Sequence, residues 1–393
     1  MKKSFSYLIA IGCTTLVSML GASAQTEASS KPMGYVTYTA LGQSDTFISL
    51  PVHRKEAFVG KVASVSGTNN EIVKVQGTPG WADDDFVYSV GVQPDTFYAM
   101  ITDGDSAGRY WEILDNAGSA VAGESSITLD VAGEDITGNV GNGTGIKIIP
   151  FWTLNTLMPG GQGIHASTSH AGSQRKSEII IPSSAAGINL ASGLSYYYYS
   201  GTAGAGPGWR QAGGGISNIK NDDTLAPDLF FIVRHNVSTG GLQPQNDGRT
   251  EITPIGTVFN NTYRTLVNVQ LDNTDQDNAI GLTVPVEVTL NESNIWESGA
   301  FVGSTSHAGS QRQDQILVFD NSVAAKNKAA TFSYYYYSGA AGAGPGWRRA
   351  GGGISNIVND VIFSIDKTVI IRKKGVVAGS VIWDMTPSYL PLP

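Results

Sequence analysis

The chain has 393 residues, 41% of them hydrophobic, and is long enough for more than one core. This hydrophobic content excludes a disordered polymer of low hydrophobicity. Only 15% of the residues are charged and 48 are glycine, which disfavours a helical enzyme, because glycine weakens helices. The formal net charge of −8 gives no electrostatic basis for binding nucleic acid or anionic lipid.

The first residues have the pattern of a signal peptide over 1–24. Lys2 and Lys3 precede an apolar stretch, and Ala22-Ser23-Ala24 is a small-residue cleavage site. Lipidation at Cys13 is an alternative. Cleavage removes the only cysteine, so no disulfide is expected, and leaves 23 basic against 33 acidic residues. We therefore expect an exported protein, extracellular, cell-surface or periplasmic, with no membrane span in the mature chain.

Short alternating or apolar runs bounded by glycine, asparagine and aspartate predict strands along the whole chain. In chain order they are 34–39, 46–50, 57–66, 71–75, 86–90, 96–102, 109–114, 146–154, 177–181, 194–200, 228–235, 265–271, 280–290, 315–319, 331–338, 361–365 and 367–373. No window of 12 or more residues has a clean helical stripe. The predicted fold class is all-β.

Two segments occur twice. STSHAGSQR at 167–175 is identical to 304–312, and 195–219 matches 333–357 at 23 of 25 positions, with offsets of 137 and 138. The match extends weakly outward: 145–155 resembles 281–291, 228–234 resembles 366–372, 45–51 faintly resembles 277–282, and 58–60 resembles 301–303. This repeat predicts tandem antiparallel β-sandwich or barrel-like units with an internal duplication.

The repeat divides the chain into a signal peptide (1–24), a mature N-terminal linker (25–33), an N-terminal β-region (34–144), β-unit copy 1 (145–250) and β-unit copy 2 (251–393). The two Tyr/Trp blocks should have the same strand register, because a slip of one residue would exchange the inward and outward tyrosines. The divergent linkers, 179–193 and 316–330, should be where the units differ most.

These segments resemble a family of uncharacterised exported proteins known mainly from Verrucomicrobia. The similarity rests on 45–51 followed by Phe58-Val-Gly60, a hairpin at 98–114, Pro-Phe-Trp-Thr-Leu at 150–154, the Tyr-rich strands followed by Gly-Trp-Arg, and a closing Val-Ile-Ile-Arg at 369–372. The resemblance implies export and no established activity. The near-identity of the two blocks exceeds what this family leads us to expect and favours a recent local copying event.

The Tyr/Trp blocks are the strongest candidates for a site. In a strand, Tyr196 and Tyr198 point to the opposite face from Tyr197 and Tyr199. The block is either an aromatic cluster packed between sheets under a glycine loop, or a platform for a ligand or protein partner. The candidate ligand or interface residues are Tyr196, Tyr198, Trp209, Arg210, Tyr334, Tyr336, Trp347 and Arg348.

Other motifs favour structural interpretations. Residues 104–108 match G-x-S-x-G, but a strand follows where the hydrolase motif needs a helix, so a hairpin loop is expected. His170 and His307 recur singly, which predicts hydrogen-bonded loops rather than metal ligands. We therefore predict no catalytic, cofactor-binding or metal-ligating residue. Calcium is the one cation that the acidic clusters at 83–85, 103–105, 221–223 and 272–277 could hold, although none has an EF-hand pattern.

Together these features predict a secreted or cell-surface β-protein with a structural or protein-interaction role, and not an enzyme. One alternative is a glycan-binding module that uses the duplicated Tyr/Trp/Arg blocks; another is a hydrolase with an unrecognised carboxylate site. The expected partners are surface polysaccharide or other envelope proteins. Buried tryptophan rings would argue against the glycan platform, and a cleft with paired carboxylates would favour the hydrolase.

Overall fold

A computed structural model of the protein describes residues 32–138, 140–237, 248–270, 274–375 and 381–390, which form mostly β-strands. The all-β prediction is confirmed. The expected signal peptide, nearly all of the 25–33 linker and residues 272 and 273 of one acidic cluster lie outside the described residues. Within the described part, no helix is long and apolar enough to cross a membrane.

The strands in the first third of the chain are β1 (Met33–Tyr35), β2 (Tyr38–Ala40), β3 (Asp45–Ile48), β4 (Val52–His53), β5 (Phe58–Ser66), β6 (Ile72–Val75), β7 (Phe97–Ile101), β8 (Tyr110–Ala117) and β9 (Ser126–Leu129). They are followed by β10 (Gly145–Pro150), β11 (Trp152–Thr153), the short helix α1 (Leu154–Leu157), β12 (Ser177–Ile181), β13 (Leu194–Tyr199), β14 (Gly208–Gln211), β15 (Thr224–Leu225) and β16 (Phe231–His235). The last are β17 (Thr250–Ile252), β18 (Ile255–Val258), β19 (Tyr263–Val267), β20 (Gln276–Ile280), β21 (Val288–Thr289), β22 (Gln315–Asp320), β23 (Phe332–Tyr337), β24 (Gly346–Arg349), β25 (Val361–Phe363), β26 (Lys367–Lys373) and β27 (Val381–Met385).

Six strands close into a barrel in the order β10-β5-β6-β9-β8-β7. Its interior is filled by aliphatic and aromatic side chains, among them Val62, Val73, Ile127 and Ile146. Every residue of β10 is buried, because one face points into the barrel and the other packs against a small aromatic cluster around Phe259. Strand β10 pairs with β5 and β7, so residues 145–150, which the sequence placed in β-unit copy 1, lie in the barrel.

Two five-stranded antiparallel sheets contain the repeated blocks. The first sheet has the order β14-β13-β12-β16-β3 and the second the order β24-β23-β22-β26-β20. Tyr196 lies opposite Gln211 in the first sheet as Tyr334 lies opposite Arg349 in the second, so the blocks share one register, as predicted.

The first sheet is discontinuous in the chain. Its edge strand β3 precedes the barrel strands, whereas its other four strands follow them. The sequence placed β3 in the N-terminal region, although its faint similarity to 277–282 does reflect an equivalent position: β3 pairs with β16 as β20 pairs with β26.

Two other details differ from the sequence expectation. The similarity of 58–60 to 301–303 is not structural, because Phe58 begins barrel strand β5 whereas Phe301 lies in the core of the second sheet. Residues 86–90 are not a strand, since Ser89 and Gln93 bridge across a turn at which Gly91 has a φ of 77°. Phe86 is nevertheless buried in the barrel core.

Both large sheets are apolar on two faces, as their continuous apolar runs indicate. In the first sheet, Ile179 points into a core, whereas the adjacent Ile180 points to the opposite side. In the second sheet, Ile316 points into a core and the adjacent Leu317 points to the opposite side. The outward faces of the two sheets meet along a cleft described below.

Candidate functional site

The indoles of Trp209 and Trp347 are buried, with 0% and 2% of their surface exposed. Each lies in the core cluster of its own sheet. Tyr198 packs edge-on against Trp209 with ring centroids 5.6 Å apart, and Tyr336 packs edge-on against Trp347 at 5.4 Å. The two indoles are therefore part of the packed interior and are not available to stack on a sugar, which argues against the platform alternative.

Arg210 and Arg348 are fully buried and are held by backbone carbonyl groups. Arg210 donates from Nε to the Ile216 oxygen at 2.5 Å, and from Nη2 to the Gly206 oxygen at 2.6 Å. Arg348 makes the equivalent bonds to Ile354 and Gly344, both at 2.6 Å. These carbonyl dipoles compensate the buried charge, so each arginine organises the glycine loop that surrounds it.

The backbone carbonyl groups and glycine loop around each arginine, called here the arginine cage, give a physical reason for the near-identity of the two blocks. Gly208 has a φ of 153°, and a side chain there would approach Nη1 of Arg210 to 2.9 Å. Gly346 has a φ of 148° beside Arg348. Only glycine adopts this backbone region without strain, so the sequence around the cage tolerates little change.

The four candidate tyrosines occupy equivalent positions. Tyr196 donates its hydroxyl to Asp223 at 2.8 Å, and Tyr334 donates to Asp360 at 2.7 Å. Tyr198 is half-buried, and the half-buried Tyr336 stacks on Trp296 with ring centroids 3.7 Å apart. The structure thus separates the eight candidate residues into two matching internal clusters and does not bring them together in one site.

His170 and His307 contact the hydroxyls of Tyr197 and Tyr335 through Nδ1, as members of hydrogen-bonded loops. Ser106 of the G-x-S-x-G match is buried in a 3-10 turn between β7 and β8, which is the expected hairpin loop. Among the described residues no three His, Cys, Asp or Glu side chains converge into a metal-binding group.

A cleft of about 580 Å³, called here the barrel cleft, lies between β8, residues 130–134 and residues 224–231. Glu112 and Asp130 line it together, and desolvation followed by the charge of Asp130 raises the pKa of Glu112. Half-buried Asp228 accepts a hydrogen bond from the Tyr110 hydroxyl at 2.6 Å, and desolvation raises its pKa. Carboxyl groups whose pKa is raised can act as general acids.

A second cleft, of about 510 Å³, lies between the outward faces of the two sheets and is called here the inter-sheet cleft. Its apolar lining comes from both sheets: Phe47, Phe230, Phe319, Ile180, Ile232, Ala279, Leu317 and Ile370. Among these residues only the three phenylalanines are buried, and Ile232, Leu317 and Ile370 remain partly exposed.

Two matching clasps border the inter-sheet cleft. Arg234 binds both oxygens of Asp45 at 2.6 and 2.7 Å, and donates to the side-chain oxygen of Asn327 at 2.7 Å. The backbone amide of Asn327 donates to the Asp45 carboxylate at 2.7 Å. Thus a loop that follows β22 of the second sheet completes a clasp on the first sheet.

The opposite clasp is built in the same way. Arg372 binds the Asp277 carboxylate at 2.7 and 2.9 Å and donates to the side-chain oxygen of Asn189 at 2.9 Å. The backbone amide of Asn189 donates to the Asp277 carboxylate at 2.9 Å. Asn189 and Asn327 have φ values of 51° and 53°. The sequence reasoning missed these residues because they lie in the divergent linkers. Their common offset of 138 is the signal that would have found them.

The turn at residues 88–92, called here the barrel tip, exposes two valines to solvent. Val90 and Val92 are 82% and 83% exposed. The turn is held by backbone hydrogen bonds between Ser89 and Gln93, and the Tyr88 hydroxyl donates to Asp222 at 3.0 Å. The sequence reasoning missed this feature because it predicted a strand over 86–90.

Comparison with protein-family models, with curated protein sequences and with solved structures finds no match for this chain. The barrel tip, the barrel cleft and the inter-sheet cleft are therefore the features from which we infer a function.

Proposed function

We propose that the protein is a secreted or cell-surface β-protein that acts through protein–protein contacts, and that the barrel tip is its contact surface. The signal-peptide pattern over 1–24 supports export. Two valines more than four-fifths exposed on one turn support the contact role, because a cluster of exposed apolar side chains often marks an interaction site.

The tip is pre-organised, which favours binding because little conformational freedom is lost on association. Gln93 donates to the Asp85 carbonyl at 2.6 Å and accepts from the Asp95 amide at 3.0 Å. The Asp95 carboxylate in turn accepts hydrogen bonds from Nη1 and Nη2 of Arg54. Full burial of a valine side chain contributes about 1.5–3 kcal/mol, so the two valines are the apolar anchors of the proposed contact.

The test is co-sedimentation of the purified protein with the envelope fraction of the cells that produce it. The Val90→Ser/Val92→Ser double variant should sediment at least about fivefold less than the unaltered protein, as expected when about 1 kcal/mol is lost. The matched control is Val121→Ser/Val323→Ser, which removes two exposed valines that lie elsewhere. The control should sediment like the unaltered protein.

Protease treatment of the envelope fraction identifies the partner. Binding that disappears after this treatment supports a protein partner. Binding that survives it and is competed by soluble polysaccharide would support the glycan alternative instead. Sedimentation of the tip variant equal to that of the unaltered protein would refute the role of the tip.

Hydrolysis in the barrel cleft is a second candidate, favoured by the raised pKa of Glu112 beside Asp130. A panel of chromogenic glycosides and esters provides the assay. Turnover that falls at least about 100-fold in Glu112→Gln, with unchanged unfolding behaviour, would support this candidate, since general acid catalysis contributes about 10²–10⁴-fold. Turnover that is absent or unchanged in the variant would exclude it for these substrates.

A further inference from the structure

The inter-sheet cleft is matched in its clasps but not in its charge. Lys328 lines it directly after Asn327, and the residue at the equivalent offset of 138, directly after Asn189, is Leu190. One clasp is therefore accompanied by a cation and the other by an aliphatic side chain. The cleft is polarised by this difference between the two residues that follow the equivalent asparagines.

Among the described residues that line the cleft, Lys328 is the cation with no carboxylate within ion-pair distance. Arg234 and Arg372 are each bound at two positions by an aspartate. The Lys328 ammonium instead donates to the backbone oxygen of Asp320 at 3.2 Å, and no ion pair within 4.0 Å joins it to another described residue. Desolvation lowers the pKa of Lys328 by more than the charges of Asp45 and Asp320 raise it. An anion in direct contact would therefore recover electrostatic energy that the half-buried ammonium loses.

The rest of the cleft suits an aliphatic chain. Ile232, Leu317 and Ile370 leave partly exposed apolar surface in the cleft, and Leu190 adds to this surface directly after Asn189 of the opposite clasp. A volume of about 510 Å³ falls within the usual range of small-molecule sites, about 300–1,000 Å³. A ligand that buries this surface gains about 25 cal/mol for each Å² of apolar area.

We propose that the inter-sheet cleft binds an amphiphilic monoanion, a long-chain carboxylate, with its headgroup at Lys328 and its chain across the apolar floor toward Leu190. A dianion fits less well, because its second carboxylate would lie beside Leu190 and near an arginine already bound to Asp277. This site is separate from the barrel tip, and the proposal does not depend on the contact function.

Dodecanoate is the test probe, measured by its displacement of a dansylated undecanoate from the purified protein. We expect saturable one-to-one displacement, and weaker or no displacement by dodecyltrimethylammonium, which has the same chain and the opposite charge. Lys328→Met should weaken dodecanoate binding at least about tenfold, as expected when a hydrogen bond to a charged group is lost. Lys326→Met is the matched control, because Lys326 lies in the same loop but donates to Asn236 and does not line the cleft.

A second variant tests the polarity of the cleft. Leu190→Lys gives the other end a cation, so dodecanedioate should bind this variant about tenfold more tightly than it binds the unaltered protein. Thermal unfolding of each variant establishes that it is folded before binding is measured.

Three outcomes would overturn the proposal. They are absence of displacement by dodecanoate, equal displacement by the cationic analogue, and equal affinity in folded Lys328→Met. Each can be distinguished from failure of the contact function, because none involves Val90 or Val92.

Discussion

The two five-stranded sheets have the same strand order and register, yet one equivalent buried position is filled in two ways. In the first sheet, Ser177 and His235 are hydrogen-bonded, with Oγ and Nδ1 2.7 Å apart. In the second sheet, the equivalent residues are Asp314 and Lys373, which form a buried ion pair. In both sheets the two side chains at this position bond to each other, although one pair is neutral and the other is charged.

The charged pair needs more partners than the neutral one. Asp314 accepts from the amides of Val302 at 2.7 Å and Lys374 at 2.8 Å, and Lys373 also donates to the Ala300 oxygen at 2.6 Å. His235 needs only Ser177 and Thr250, whose hydroxyl lies 2.8 Å from Nε2. Burial costs ions more than neutral groups, so the second sheet supplies extra hydrogen bonds.

The largest expected effect tests what the sheets share. Trp209→Ala and Trp347→Ala should each lower the free energy of unfolding by about 3–5 kcal/mol, because each leaves a cavity in a packed core. Denaturant unfolding followed by circular dichroism measures both losses. Effects that differ by more than about 2 kcal/mol would show that the equivalence of the sheets does not extend to their energetics.

The next prediction compares the loss of stability when the buried pair is broken in each sheet. Lys373→Met should lower stability by about 3–5 kcal/mol, because it leaves the Asp314 carboxylate buried without its ion partner. Ser177→Ala breaks the equivalent pair in the first sheet from the position that corresponds to Asp314. It should cost about 1–3 kcal/mol, since it removes the hydrogen bonds of a neutral hydroxyl to the His235 ring and to the His165 backbone amide. In denaturant titrations, equal losses in the two variants would contradict this account. Adding Asp314→Leu to Lys373→Met should recover part of the loss.

The first sheet should also carry a pH dependence at this position, which His235 causes. Desolvation followed by the charge of His165 lowers the pKa of His235 to about 4. Between pH 6.5 and 4 the unfolded histidine binds a proton that the folded one excludes, so stability falls as pH falls through this window. The loss is about 2 kcal/mol at pH 5 relative to pH 8.

Unfolding midpoints measured from pH 8 to pH 4 test this effect. His235→Gln should show a flatter profile than the unaltered protein over the window, because the substituted side chain does not titrate. Parallel profiles would exclude His235 as the source of the dependence. Lys373→Met, analysed in the same way, should keep the slope that His235 causes.

The smallest effect tests the two clasps. Asn189→Ala and Asn327→Ala should each cost about 1–2 kcal/mol, because alanine is strained at positive φ and the hydrogen bond to arginine is lost. Glycine at the same positions should recover the backbone part of the loss. Chemical denaturation of the four single variants measures both parts. Similar values at the two sites would support equivalent clasps, and a loss at one site alone would show that only that clasp stabilises the fold.

The sequence alone predicted the class of the fold and the shared register of the repeated blocks. Period-2 patterns and turn residues are local signals, so β13 and β23 could be assigned from their tyrosines alone. It also predicted that β3 and β20 are related, although the similarity is faint. It misassigned β10, because a local pattern indicates a strand but not the neighbours with which that strand pairs.

Only the tertiary structure decided which repeated side chains are buried and where the clefts lie. Tyr, Trp and Arg suit an interface and a packed interior equally well, and the choice depends on which segments cover them. The Asn189 and Asn327 clasps also join residues far apart in the chain, so no local pattern marks them. Strand propensity is set by neighbours in sequence, whereas burial and long-range pairing are set by neighbours in space. For this protein the second set determined which aromatic residues are buried and which residues line the clefts.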